Sequence, residues 1–259
     1  MPTWLVGRCI LRQKGKIYSR FDFARMHYTD LFIDFDDTLY DTHGNANIAL
    51  AEIFDFFHLS NFFERLEDFT VPYWNANFEL WTLYAHGRIG RDELMVERFR
   101  RPLSCGNGLS PTFEYCMQVS DKFLALCAEK PGTLPGAHEL MQYLKDRGYH
   151  LHLASNGFRE VQFKKLKASN MYQYFDTIIL SEEVGANKPS PVFYDFALQK
   201  SGADRNHTLM IGDNQDTDIA GAHSVGLPQI WYNPNGLERS IDFIPTFTVR
   251  DLRDIMHIL

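Results

Sequence analysis

Asp34 and Asp36 stand one residue apart in the run Asp34-Phe35-Asp36-Asp37-Thr38, directly after the apolar stretch Leu31-Phe32-Ile33. With that spacing at the end of a strand, the first carboxylate can point into a site and the second over it. A carboxylate can attack phosphorus and carry the phosphoryl group as an acyl phosphate. Charge opposes the encounter. At ~4 Å and an effective dielectric of about 20, each unit-charge pair between a carboxylate and a phosphate dianion costs ~4 kcal/mol, roughly 8 in total. Cations must offset that, and the sequence offers two sources. Asp34 and Asp213 are hard oxygen ligands of the kind Mg²⁺ takes together with substrate phosphate and water. Lys188 adds a fixed positive charge. The Ser155 hydroxyl and the backbone N–H groups after it can donate to phosphoryl oxygens as charge develops. Asp36 can then protonate the leaving oxygen and later take a proton from water.

These residues are far apart in the chain, so the elements around them must bring them together. Short apolar runs alternate with helical patterns, the signature of βαβ units and a parallel sheet. Strands are expected at Asp30–Asp34, Tyr149–Ser155, Asp176–Leu180, Thr208–Gly212, Gln229–Tyr232 and Thr246–Val249. Helices are expected over Arg159–Ser169, from about Pro191, over Ile219–Ser224 and over Leu252–Ile258. Asp34, Ser155 and Asp213 all fall at strand ends, and ligands of open α/β sheets bind outside the carboxyl ends of the strands. Residues 43–131 show no clear strand but carry aromatics at helical spacing, among them Phe54, Phe57, Trp81 and Tyr84. They are expected to form a helical insertion, mostly by packing those rings into its own core. The core is expected to comprise residues 26–42 and 132–259.

Four motifs in order carry a family resemblance. Asp34-Phe35-Asp36-Asp37-Thr38-Leu39 resembles the first motif of the haloacid dehalogenase superfamily, and Ser155 stands at the place of the second. Lys188 resembles the third-motif lysine, and Gly212-Asp213 through Asp218 is similar to the fourth. The resemblance implies a three-layer doubly wound parallel α/β sheet with a helical cap of C1 type inserted after the first strand. It also implies an Mg²⁺-dependent phosphomonoester hydrolase working through an aspartyl-phosphate. In that scheme Asp34 is the nucleophile and Asp36 the acid/base. Thr38, Ser155, Asn156 and Lys188 contact the substrate phosphate. Asp34, Asp213 and the backbone carbonyl of Asp36 hold the metal, and Asp218 supports that site without touching the ion.

Ser181–Gly185, Lys188-Pro189, Phe193–Leu198, Trp231–Asn233 and the pattern of Gly87–Phe99 are similar to pyrimidine 5′-nucleotidases of the YjjG type. A nucleoside 5′-monophosphate is therefore the expected substrate. A sugar-phosphate phosphatase or β-phosphoglucomutase-like enzyme is the rival, and a non-catalytic binder on the same fold is a further alternative. A dehalogenase is disfavoured, since it needs neither metal nor an acid/base at Asp36. Substrate choice is expected in the cap, where Trp81–Phe99 carries Arg88, Arg91 and Arg98. Arg98 is singled out as a substrate contact, against the alternative of an exposed helix arginine.

Other classes are excluded or disfavoured. Residues 1–25 carry six basic side chains against one acid, a net +5; with −7 on the whole chain, residues 26–259 carry −12. An acidic body lacks the clustered cations a nucleic-acid backbone demands. No P-loop or GxGxxG sequence occurs, and calcium-loop register fails at Leu39 and Asp218. No apolar run approaches the ~20 residues that span a bilayer. The four cysteines are widely spaced, which suits a reducing compartment and a cytoplasmic protein. The basic leader ahead of Met26 is expected to be dispensable. His150 and His152 are expected to be structural.

Overall fold

The computed structural model describes residues 28–259 and, ahead of them, the backbone of two short strands. These are β1 (Leu11–Gln13) and β2 (Lys16–Tyr18), which pair antiparallel. The rest of the leader, and with it the expectation that it is dispensable, lies outside the described residues.

The core is a six-stranded sheet built from β3 (Asp30–Ile33), β4 (His150–Ser155), β5 (Thr177–Leu180), β6 (Thr208–Gly212), β7 (Gln229–Tyr232) and β8 (Phe247–Val249). Its order is β5-β4-β3-β6-β7-β8 and every neighbour pair is parallel. The central strands are continuous apolar runs because both faces are covered. Leu31, Ile33, Leu151, Leu153, Leu209 and Ile211 face one layer; Phe32, Ala154 and Met210 face the other. Helix α5 (Ala137–Asp146) and the C-terminal turn Leu252–His257 cover the first face with Leu140, Met141, Leu144, Leu252 and Ile255. Helix α8 (Pro191–Ser201) covers the second with Phe193, Tyr194 and Ala197.

From β3 the chain winds first to β4 and β5, then returns past β3 to β6, β7 and β8. The carboxyl ends of β3, β4 and β6 therefore border the point where the winding reverses, the usual ligand position in such sheets. Two of the differences from the expected elements lie beside the rim. Asp34 lies just past β3, although its N–H still bonds Ile211 O at 2.9 Å. The helix expected over Ile219–Ser224 is a π-helical turn, Gln215–Ala220, running into α9 (Gly221–Ser224).

Between β3 and α5 stand four helices: α1 (Thr42–Phe56), α2 (Glu67–Ala85), α3 (Arg91–Leu103) and α4 (Phe113–Glu129). They close on a core of their own, centred on Phe69, Tyr73, Phe99, Val119 and Phe123, and form the helical cap. The chain's two crossings between cap and core are stitched together. Asp41 N–H bonds Gly132 O, and the Asn45 amide both donates to Gly132 O at 2.8 Å and accepts from its N–H. A β-carbon at Gly132 would lie 2.5 Å from Asn45 Oδ1, so only glycine fits. On the far side of the cap, Phe158 at the start of α6 (Arg159–Ala168) sits among Trp81, Tyr84 and Arg91. Arg91 reaches Glu160 and Glu182, and His86 reaches Asp216 at 2.7 Å.

Candidate active site

The loop after β3 curls so tightly that Phe35 O accepts from the N–H groups of Thr38, Leu39 and Tyr40. Asp37 takes a positive φ of 61° to allow this, a conformation that short polar residues tolerate better than most. The curl turns Asp34, Asp36 and Thr38 toward the rim of the sheet.

Asp34 is 7% exposed. Its Oδ1 accepts from Lys188 Nζ at 2.6 Å. Lys188, itself 1% exposed, also donates to Asp218 Oδ1 and Ala154 O, both at 2.6 Å, so its three protons are all used. Asp218 Oδ2 accepts from Asn214 N–H. A β-carbon at Gly212 would collide with the Asp218 carboxyl at 2.4 Å, which makes room for that carboxyl the reason for glycine there. Asn214 caps the π-helical turn, accepting from the N–H groups of Asp216 and Thr217.

Asp34, Asp213 and Asp218 place one carboxylate oxygen each within 4.8 Å of one another. Burial, with Asp218 and Asp36 adding to it against Lys188, pushes the Asp34 carboxyl up to about 7. Burial, Asp34 and Asp218 push Asp213 well above the usual carboxylate range. Lys188 shows the reverse: burial alone would lower it, but Asp218 and Asp34 hold it above the ordinary lysine range. The cluster thus carries more buried negative charge than its one lysine offsets. All its donors are hard oxygens, and a divalent ion such as Mg²⁺ fits that deficit.

Ser155 is 1% exposed and its Oγ accepts from Gly157 N–H and Gln162 Nε2, which leaves its proton to donate. Asp36 Oδ1 accepts from Lys165 Nζ at 2.6 Å and from Thr42 Oγ1 at 2.8 Å; its Oδ2 accepts from Gln162 Nε2. Burial would raise the Asp36 carboxyl, but Lys165, Thr42 and Gln162 outweigh it and hold it low.

The structure therefore brings Asp34, Asp36, Ser155, Lys188, Asp213 and Asp218 to one rim. Two residues expected to contact phosphate, Thr38 and Asn156, bond within the protein. Thr38 is fully buried; its hydroxyl accepts from Asp213 N–H and faces Asp213 Oδ1 at 2.9 Å and Asp34 Oδ2 at 3.3 Å. The Asn156 amide is engaged by the Lys188 backbone, donating to its carbonyl and accepting from its N–H, so it holds the lysine loop. Arg98 is not the exposed helix arginine of the alternative reading. It is 2% exposed, inside the cap, with Nη2 on Ser120 Oγ at 3.1 Å and its guanidinium beside the Phe99 and Phe123 rings. His152 is structural, buried and bonded to Asp30. Sequence reasoning missed Thr42, Gln162 and Lys165. The last two stand three apart on α6, so they share a face, but that spacing does not say what the face meets.

A family profile for haloacid dehalogenase-like hydrolases matches residues 31–226. The chain belongs to that family of hydrolases, and its parallel sheet with a helical cap is the family's fold. More particular likenesses follow the same line. The pyrimidine 5′-nucleotidase PynA of Streptococcus pneumoniae is 31% identical over 236 residues, covering 90% of this chain and 96% of that one. The pyrimidine 5′-nucleotidase YjjG of Escherichia coli is 29% identical over 235 residues, covering 90% and 99%. Among solved structures, the HAD-hydrolase YfnB of Bacillus subtilis bound to magnesium aligns with a TM-score of 0.78 at 27% identity, covering 90% of this chain and 98% of that one. Among the described residues no helix is long and apolar enough to cross a membrane.

Proposed function

We propose that the protein hydrolyses nucleoside 5′-monophosphates, with Asp34 as the nucleophile. The observation that carries this reading is Asp34 at the rim of β3, bound to Lys188 and clustered with Asp213 and Asp218. Asp34 attacks phosphorus and the bond from phosphorus to the ester oxygen breaks; Asp36, whose carboxyl is held low by Lys165, Thr42 and Gln162, must first take up a proton, which it then gives to that oxygen. Water then attacks the aspartyl-phosphate while Asp36 takes its proton, which releases phosphate and restores Asp34. The Ser155 hydroxyl donates to a phosphoryl oxygen, and Lys188, its protons held by Asp34, Asp218 and Ala154 O, supplies fixed positive charge beside the phosphoryl group. Asp34, Asp213 and the Asp36 carbonyl would hold Mg²⁺, which supplies positive charge against the negative charge of phosphoryl transfer.

A cavity of about 630 Å³ opens beside the rim, bordered by Asp37, His43, Asp213, Asn233 and Arg250. Its volume is within the ~300–1,000 Å³ of small-molecule sites, which suits a small phosphorylated metabolite. The nucleotidase names of two relatives that cover nine-tenths of the chain favour a nucleotide. A screen of phosphorylated metabolites with Mg²⁺, ranked by kcat/KM, tests the reading. A pyrimidine nucleotide is expected at the head of the ranking. Hexose phosphates at the head would overturn the substrate, and no turnover of any ester would overturn the activity.

A further inference from the structure

Gln162 is an amide with no evident reason to be where it is. It is 1% exposed, and its Oε1 has no hydrogen-bond partner among the described residues. A buried acceptor left without a donor costs ~1–3 kcal/mol, so an apolar side chain of the same length would serve stability better. What the amide does have is a nitrogen with two uses. Nε2 donates to Asp36 Oδ2 and, at 2.8 Å, to Ser155 Oγ. The NH₂ group carries two protons, so both bonds form at once. Gly157 makes the placement possible, since a β-carbon there would lie 1.9 Å from Nε2.

Lys165, one helical turn on, takes the other oxygen of Asp36 at 2.6 Å. Its ammonium lies 5.0 Å over the Tyr40 ring, whose hydroxyl faces Cys127 O and Lys130 O where the cap returns to the core. Helix α6, which bears both residues, packs along cap helix α4. The acid/base carboxylate is thus held from two sides by one helix, and that helix also touches the cap.

We infer that Gln162 and Lys165 are positioning residues. Gln162 fixes Asp36 relative to Ser155, and so to the phosphoryl group, while Lys165 fixes it relative to the cap. Both act through Asp36 on the leaving oxygen. The inference rests on the phosphatase reading above, and its test separates the two.

The test compares Gln162→Met, Lys165→Met and Lys165→Arg with the wild-type chain on two esters. Uridine 5′-monophosphate releases an alkoxide that needs a proton, whereas p-nitrophenyl phosphate releases a stable phenolate that does not. Because kcat/KM reports the step that forms the phosphoenzyme, each Met variant should lose ~10–100-fold on the nucleotide, part of the 10²–10⁴ that general acids supply. The loss on the aryl ester should be at least ~10-fold smaller, because its leaving group makes little call on a general acid. Lys165→Arg should recover most of the nucleotide activity, and Gln162→Met should unfold at no lower temperature than wild type. Equal losses on both esters, or Met variants that keep full nucleotide activity, would overturn the inference. A wild-type chain that hydrolyses neither ester would instead overturn the phosphatase reading.

Discussion

The rim of the sheet and the interior of the cap each bury charge that the protein itself does not balance, and the imbalance has opposite sign in the two places. At the rim, Asp34 and Asp218 share Lys188, and Asp213 adds a third carboxylate to their cluster. In the cap, Arg98 is as deeply buried as Lys188, yet among the described residues it has no carboxylate partner and its Nε bonds nothing; a serine hydroxyl and two aromatic rings are its company. Uncompensated buried charge is expensive. A chain that retains it in two regions is built to meet something in each. At the rim the deficit suits a divalent cation. For the cap we propose that Arg98 acts on the nucleoside, a contact that a variant tests below.

Substitutions sharpen or break that contrast in descending order of effect. Asp34→Asn should lower turnover by ~10⁴ or more, as nucleophile knockouts do, and assays of released phosphate would show it. Asp36→Asn should cost ~10²–10⁴, the span of general acid–base help. Lys188→Met leaves Asp34 and Asp218 buried without their cation, so thermal unfolding should report a loss of ~3–5 kcal/mol. Adding Mg²⁺ to the wild-type chain should act in the other direction, stabilising it by ~2.7 kcal/mol at a hundred times its dissociation constant.

The metal-free chain should also respond to pH in an unusual sense. A carboxyl whose folded value lies above its unfolded one binds more protons folded than unfolded. Its contribution therefore falls as pH rises from its ordinary value near 3.8, through the value of about 7 that Asp34 reaches. Unfolding midpoints across that window should decline from this source without Mg²⁺, and the decline should shrink with it. Arg98→Met should have the smallest effect and the most informative one. Stability should stay level or rise by ~1–4 kcal/mol, since an apolar side chain replaces an unpaired charge. The nucleotide kcat/KM should fall by the equivalent of ~1–3 kcal/mol. Loss of stability together with activity would make Arg98 a structural residue and end the contrast.

The sheet was largely legible because its strands are short apolar runs that end abruptly in Asp34, Ser155 and Asp213, a pattern that places the rim as well as the strands. The contacts of Thr38 and Asn156 were not, since they depend on how two loops curl. Thr38 turns inward because Asp37 adopts a positive φ, and Asn156 is drawn to the Lys188 backbone by a loop arriving from elsewhere in the chain. The burial of Arg98 was half visible. Helix α3 is rich in charge, yet Leu94 and Arg98 are four apart and Phe99 and Leu103 repeat that spacing, so Arg98 falls among the buried positions. Gln162 and Lys165 were hidden because a helix face tells which residues point together, not what they meet.

The central claim is that Asp34 becomes phosphorylated. Rapid acid quench of the chain with a phosphorus-labelled nucleotide and Mg²⁺, followed by peptide mapping, tests it directly. The expected result is a hydroxylamine-sensitive phosphoryl label on the peptide carrying Asp34, absent in Asp34→Asn and formed no more slowly than steady-state turnover. Full turnover with no label on that peptide, or label on another residue, would contradict it.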